Sequence, residues 1–177
     1  RQPRASIRDM ADVTSAEDNQ PDWNSFFTLT GIFTLTGTIY AAFLHFLPRY
    51  LEDANVHLLA FSGPGSSKYY AGLVLLVGCL GQLLGAVFAR PRILERQLML
   101  IFLANVPCLL WMALATGTTR LAACALFALV HFMHQPIYNS LIAKYTPPHR
   151  RSLCYGFNFA VGMGMGGVGT MLAGFSP

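Results

Sequence analysis

The chain has 177 residues, of which 11% are charged and 54% are hydrophobic, and its formal net charge is +4. Soluble domains carry about 25% charged residues, so this chain has too few polar side chains to cover a surface in water. Its lysines and arginines lie beside apolar runs rather than on one basic face, so we expect no nucleic acid among its partners.

The first 25 residues are polar, carry both signs of charge and contain few aromatic side chains. This composition is typical of a flexible segment, and we interpret residues 1–25 as a cytoplasmic linker or tail. They contain no recognisable cleavable signal peptide. Because the chain does not begin with Met and stops two residues after an apolar run, we expect it to be a fragment of a longer protein.

Five apolar runs follow the tail, and each is close to the roughly 20 residues that cross a bilayer as a helix. They cover Phe26–Leu47, Tyr69–Phe88, Gln97–Ala115, Leu121–Ala143 and Ser152–Phe175. The sequence therefore predicts an all-α membrane protein, a polytopic bundle of five transmembrane helices over residues 26–177 that is surrounded by the lipid bilayer.

Basic residues are densest in the second and fourth gaps between these runs. The residues concerned are Arg90, Arg92, Arg96, Lys144, Arg150 and Arg151. Cytoplasmic loops of membrane proteins carry an excess of Lys and Arg. We therefore expect both gaps and the N-terminal tail to lie in the cytoplasm and the end of the fifth span to lie outside.

The first and third spans carry scattered polar residues. The first contains Thr28, Thr30, Thr34, Thr36 and Thr38. Threonine hydroxyls can bond to carbonyls of their own helix, so they cost little in lipid. Tyr40, toward the outer end of the first span, and Asn105, near the middle of the third, are candidate cavity residues; helix–helix hydrogen bonding is the alternative for Asn105.

The fourth span carries a polar face. His131, His134, Gln135, Tyr138 and Asn139 follow one another at i, i+3, i+4, i+7 and i+8, which places them on one side of a helix. Polar groups are costly against lipid, so we expect this face to point into the bundle or a wet cavity. Pro136 cannot donate a backbone hydrogen bond and clashes with the preceding turn, which should free the carbonyl of Phe132.

Three interpretations of this polar face are open. We favour a pathway for a solute or a proton, lined by His131, Gln135, Tyr138 and Asn139, with Asn105 and Tyr40 behind them. The structural alternative is hydrogen bonding between helices, worth about 0.6 kcal/mol per bond on average. A metal site on the His131-x-x-His134 spacing lacks the carboxylates or thiolates that would complete it, so we expect no metal and no cofactor.

The fifth span is rich in glycine, with Gly162, Gly164, Gly166, Gly167, Gly169 and Gly174. Gly162 and Gly166 form a small-xxx-small pair, which allows two helices to approach closely. The span is thus either a packing helix or a moving gate helix, since glycine also permits bending. The candidates for packing and gating are Gly162, Gly166, Gly169 and Pro136.

The four cysteines, Cys79, Cys108, Cys124 and Cys154, all fall inside predicted spans and form no CxxC pair. This pattern does not indicate a disulfide framework. We interpret them as small apolar core residues.

Two stretches resemble the major facilitator superfamily of transporters. The run from Gln135 to Ser152, followed by the glycines of the fifth span, resembles the tenth and eleventh helices, where a Pro-x-x-x-Arg-Gly loop leads into a glycine-rich helix. Gly81-Gln-Leu-Leu-Gly85, followed by Arg90, Pro91 and Arg92, resembles the second copy of the family's cytoplasmic loop motif. No Asp precedes the first Arg here, and Glu95 is the candidate substitute.

The resemblance implies a 6+6 inverted-repeat transporter fold, with this chain as helices seven to eleven and the N-terminal half as a missing partner. It implies that helices seven and ten face the central cavity and that eight and eleven line the seam between the halves. The residues that match the cytoplasmic loop motif are Gly81, Gly85, Arg90, Arg92, Arg150 and Arg151.

We therefore expect the C-terminal part of a secondary active transporter of the plasma membrane. It would move a small solute by alternating access, with a coupling proton or ion as a possible second partner, and would not be an enzyme. The alternatives are an intramembrane enzyme and a non-transporting multi-span scaffold protein. Ser140 and His134 are a weak catalytic pair, because ideal helix geometry puts them on nearly opposite faces.

Overall fold

The computed structural model describes residues 22–54 and 65–174, apart from the side-chain surroundings of residues 169, 172 and 173. The described residues form six α-helices, one short 3-10 helix and no strand. They are α1 (Trp23–Glu52), α2 (Ser66–Phe88), α3 (Leu94–Leu114), α4 (Thr119–Phe132), α5 (His134–Tyr145), the 3-10 helix Pro148–Arg150 and α6 (Arg151–Gly174). Most of the predicted tail, and the end of the fifth predicted span at Phe175, lie outside the described residues.

Four helical stretches are long and apolar enough to cross a membrane: α1, α2, α3, and α4 together with α5. Their outer surfaces are apolar, and the large exposed side chains of α2 and α3 include Leu73, Leu76, Leu80, Leu83, Leu103 and Leu110. Soluble monomers rarely expose apolar surface so continuously. The prediction of an all-helical membrane protein is confirmed at this level, and the crossing of α6 as a fifth span stays a prediction.

The first helix begins earlier than hydropathy predicts, because Asp22 caps it. One carboxylate oxygen of Asp22 accepts from the Ser25 N–H at 3.1 Å and the other accepts from the Ser25 hydroxyl at 2.6 Å. These bonds satisfy a free N–H of the first turn and hold the pKa of Asp22 below its usual value. The Asp22 N–H donates to the Tyr145 carbonyl at 3.2 Å, which ties the start of α1 to the end of α5.

The threonines of α1 behave as predicted. Each of the five hydroxyls donates to the carbonyl four residues earlier, at distances between 2.8 and 3.0 Å. Their hydrogen-bonding capacity is therefore used within the helix, so α1 can carry them through an apolar environment.

The bundle is built from two closely packed helix pairs. α1 lies along α6 and α2 lies along α4, while α3 packs against both α4 and α5. One apolar cluster fills the end of the bundle that holds Leu47, Val74 and Phe127. A second fills the other end, around Phe26, Leu98 and Leu141. The junction between α4 and α5 lies between these two clusters.

Glycines set the spacing of the α2–α4 pair. A Cβ atom on Gly81 would lie 2.9 Å from the carbonyl carbon of Leu129 and closer still to its oxygen, and one on Gly85 would lie 2.9 Å from the Cα of Met133. Membrane helices approach this closely only where small residues line the contact. The Gly81 and Gly85 positions that resemble a loop motif therefore lie within α2 and pack against the neighbouring span.

Glycines also set the spacing of the α1–α6 pair. A Cβ atom on Gly37 would lie 2.9 Å from the carbonyl oxygen of Gly162, and one on Gly166 would lie 3.3 Å from the Cβ of Ala41. Gly162 and Gly166 are thus positioned to pack on α1, while their part in gating stays a prediction. The surroundings of Gly169 lie outside the described residues.

Candidate functional site

The helical hydrogen-bond pattern of the fourth predicted span is interrupted at Met133, whose backbone keeps the αR conformation with φ −60° and ψ −24°. α4 ends at Phe132 and α5 begins at His134, with Met133 between them. Pro136 supplies no N–H, so the carbonyl of Phe132 loses its helical partner. The ring Nδ1 of His134 bonds to the carbonyl of His131. A carbonyl can only accept, so the neutral His134 ring carries its proton on Nδ1 and presents Nε2 as an acceptor.

A cavity of about 50 Å³ lies beside this interruption, between α1, the α4–α5 junction and α6. Its lining is Phe33, Thr36, Gly37, Tyr40, His131, Phe132, His134, Gln135, Phe159, Gly162 and Met163. A water molecule takes up about 30 Å³ in the liquid, whereas small-molecule sites are typically about 300–1,000 Å³. In this conformation the cavity has room for one or two water molecules.

His131 is the central polar group of the cavity wall. It is 4% exposed, and its ring lies between those of Phe127 and Tyr40, with centroids 5.1 and 6.2 Å away. Within the described parts of the chain its ring nitrogens have no hydrogen-bond partner. A buried imidazole with an open donor and an open acceptor can bond to water or to a polar solute that enters the cavity.

Gln135 shares the cavity with His131 and is tied to the neighbouring span. Its side-chain oxygen accepts from the side-chain nitrogen of Gln82 on α2. Gln82 was not among the site residues predicted from the sequence. The available signal was one amide in the otherwise apolar run of α2, because a polar residue at that depth needs a partner.

The structure does not bring the five polar residues of the fourth span to one place. Tyr138 is buried away from the cavity, where its hydroxyl donates to the Asn158 side-chain oxygen at 2.6 Å and its ring stacks on Phe33 at 4.8 Å. Asn139 is exposed, and its backbone carbonyl accepts from the Tyr155 hydroxyl at 2.7 Å. His131, His134 and Gln135 line the cavity, and Tyr138 and Asn139 do not.

Asn105 is buried on α3 and does not line the cavity. Its amide nitrogen donates to the Ile101 carbonyl at 2.9 Å, and its buried side-chain oxygen has no partner among the described residues. Phe102, one turn earlier, contacts the His134 ring with centroids 5.8 Å apart. Because α3 and α4 run antiparallel, Asn105 lies at about the depth of His131.

The end of the bundle with the paired arginines holds an ion pair between two helices. Lys144 near the end of α5 bonds to the carboxylate of Glu95 at the start of α3, and the Tyr145 hydroxyl donates to the same carboxylate at 2.6 Å. Glu95, the candidate substitute for the missing Asp of the loop motif, therefore binds α5. Arg90 and Arg92 are exposed and have no ion pair within the described ranges.

A glutamine rather than an arginine orders the short loop between α2 and α3. The Gln97 side-chain oxygen accepts from the Arg90 backbone N–H at 2.9 Å, and its nitrogen donates to the Phe88 carbonyl at 2.7 Å. One amide thus satisfies two backbone groups left open where α2 ends. The arginine side chains of this loop remain available for contacts beyond it.

The family model of the Major Facilitator Superfamily matches residues 4–170. The chain belongs to the major facilitator superfamily. Its members are membrane transporters rather than enzymes, so the all-helical bundle is that of a transporter-type protein. Searches of curated proteins and of solved structures found no match.

Proposed function

We propose that this superfamily member is a secondary active transporter that moves a small polar or anionic solute by alternating access. The main support is the cavity that His131 and Gln135 line beside Met133, where the helical hydrogen-bond pattern is interrupted. Transporters commonly hold their solutes near the membrane midplane at interrupted helices. Polar side chains at that depth are costly unless they serve a pathway or bond to each other.

The residues that we propose to contact the solute are His131, Gln135 and Tyr40, which line the cavity together. An imidazole, an amide and a phenol can donate and accept hydrogen bonds without a fixed charge. His131 is also the proposed site of a coupling proton, because an imidazole at the cavity wall can both accept and donate a proton. Tyr138, Asn139 and Asn105 lie outside the cavity, so in this conformation we assign them no contact with the solute.

We further propose that α1 to α3 correspond to helices seven to nine of the family fold, α4 with α5 to helix ten, and α6 to helix eleven. In an inverted repeat, a two-fold axis in the membrane plane exchanges helix seven with ten and eight with eleven. The α1–α6 and α2–α4 pairs would then be equivalent, and glycines make the close contacts in both. The N-terminal half of the transporter would complete the pathway.

The proposed location is the plasma membrane, with the α2–α3 and α5–α6 loops in the cytoplasm. The orientation is supported by the density of Lys and Arg in and beside those two loops, compared with the junction of α3 and α4, where the first turn of α4 holds Arg120 alone. An impermeant thiol reagent applied to intact cells should therefore fail to label an Arg92→Cys variant. Ready labelling from outside would show that the α2–α3 loop faces the exterior and that the proposed orientation is wrong.

The solute pathway can be tested in proteoliposomes that contain the full-length transporter. A panel of radiolabelled amino acids, sugars and organic anions would first identify a transported solute. We expect His131→Ala and Gln135→Ala to reduce uptake about tenfold, since a lost hydrogen bond to a bound polar group is worth about 1.5 kcal/mol. Asn139→Ala is the matched control, because Asn139 lies on the same span but is exposed outside the cavity. Normal affinity and rate in both test variants would leave the cavity with only a structural role.

A further inference from the structure

The second helix packs directly against the interruption between α4 and α5. A Cβ atom on Gly78 would lie 2.7 Å from the ring of Phe132 at the end of α4. A Cβ atom on Gly85 would lie 2.9 Å from the Cα of Met133 and 2.9 Å from the Cγ of Pro136 in α5. Membrane helices come this close only where small residues line the contact. The packing therefore fixes the position of α2 relative to both α4 and α5.

Gln82 lies on α2 between these two glycines and crosses the contact with a hydrogen bond. Its side-chain nitrogen donates to the side-chain oxygen of Gln135 on α5. Gln135 lines the cavity, whereas Gln82 does not. Gln82 is thus placed to act on a group in the cavity through the residue that it binds.

The bond leaves one end of the Gln135 amide free. Its oxygen is used by Gln82, while its nitrogen has no hydrogen-bond partner within the described ranges. The last torsion of a glutamine side chain is broad and roughly two-fold, so an unheld amide can present either its oxygen or its nitrogen. The bond from Gln82 removes that freedom and leaves an N–H donor at the cavity wall.

Two other polar groups of the cavity wall can also donate. They are the imidazole of His131 and the hydroxyl of Tyr40, and no Lys, Arg, Asp or Glu lines the cavity beside them. A carboxylate only accepts hydrogen bonds, and its two oxygens offer about four acceptor positions. Hydrogen bonds to an ionised acceptor are also about twice as strong as neutral ones. Three neutral donors at one wall therefore match a carboxylate.

We propose that Gln82 is a positioning residue, which holds the Gln135 amide with its nitrogen towards the solute, and that the solute group bound there is a carboxylate. This inference rests on the proposed function, because Gln135 meets a solute only if the cavity belongs to the pathway. It adds a residue outside the cavity and a chemical class of solute. Small carboxylic acids and amino acids belong to that class, whereas sugars do not.

Initial rates of uptake by the full-length protein in proteoliposomes test both parts, with the radiolabelled amino acids, sugars and organic anions as probes. We expect uptake of a carboxylic acid or an amino acid and of none of the sugars. With that solute, Gln82→Leu should raise KM about threefold, the factor that corresponds to an average hydrogen bond between membrane helices. The turnover number should stay unchanged, as it does when binding is lost equally before and during the rate-limiting step.

The matched control on the same helix is Gly72→Ala, which should keep the original KM, because a Cβ atom there would meet nothing within 4 Å. The Gln135→Ala background then separates positioning from packing. If Gln82 acts through Gln135, adding Gln82→Leu should leave the KM of that variant unchanged, whereas a packing role alone would raise KM in both backgrounds. Gln82→Asn, whose amide is one methylene short of Gln135, should raise KM in the same way and keeps the test if the leucine variant fails to fold.

The possible failures are distinguishable. Uptake of sugars but of no carboxylic or amino acid would overturn the carboxylate assignment and leave the proposed transport function intact. An original KM in both Gln82→Leu and Gln82→Asn, or equal rises in the two backgrounds, would overturn the positioning role even where Gln135→Ala still reduces uptake. If the unaltered protein moves none of the solutes, the proposed function and this inference fail together.

Discussion

Replacing Gly81 with alanine would test whether the missing side chain at this position sets the distance between α2 and α4. The new methyl group would lie 2.9 Å from the carbonyl carbon of Leu129 and 3.1 Å from its Cα, with the oxygen closer than either. These are backbone atoms, so no rotamer change relieves the contact and the two helices must separate. Overpacking of this kind costs about 1–3 kcal/mol. The expected loss exceeds the roughly 0.5–1 kcal/mol that alanine gains over glycine inside a helix.

The assay for Gly81→Ala is reversible unfolding of the purified protein in mixed detergent micelles, followed by tryptophan fluorescence. Gly72→Ala is the matched control, because Gly72 lies on the same helix and a Cβ atom there would meet nothing within 4 Å. We expect the control to be as stable as the original protein or slightly more stable. If Gly81→Ala and Gly72→Ala unfold at the same denaturant concentration, the α2–α4 contact is not limited by Gly81.

Further variants probe three of the bonds that join the helices. Changing Gln82 and Gln135 to leucine, singly and together, should give a coupling energy of about 0.6 kcal/mol in a double-mutant cycle of unfolding; strictly additive effects would argue against the amide pair. Tyr138→Phe should lower the free energy of unfolding by about 0.5–1.5 kcal/mol, because it leaves a buried amide oxygen without its donor, and should leave the apparent solute affinity unchanged. A change in affinity at unchanged stability would instead place the hydroxyl in the pathway. Glu95→Gln and Lys144→Gln should each cost at most about 1 kcal/mol and lose that effect in high salt, because their side chains are 45% and 47% exposed; a larger loss that salt does not reduce would contradict this.

Local properties of the chain were sufficient to predict the helices and the position of the interruption. Hydropathy depends on neighbouring residues only, so the apolar runs located α1 to α6 within a few residues. The start of α1 was not predicted, because its capping residue Asp22 lies in the polar stretch that composition assigns to the tail. The freed carbonyl of Phe132 followed from Pro136 alone, and α4 ends at that residue.

The candidate site was predictable only in part, because hydrogen-bond partners on other helices cannot be derived from spacing along one helix. Periodicity grouped Tyr138 with His131, but the Asn158 side chain on α6 and the Phe33 ring on α1 hold Tyr138 in a separate buried contact. Gln82 was missed for the same reason, since its partner Gln135 is 53 residues away along the chain.

The order of residues determined that this chain is a helical membrane protein and which family its motifs resemble, since apolar length, loop charge and glycine spacing are properties of short segments. Only the packed bundle decided which polar groups share the cavity. The α2–α4 and α1–α6 contacts fix how the helices are rotated about their axes. That rotation leaves His131 and Gln135 in the cavity wall and leaves Asn139 exposed outside it.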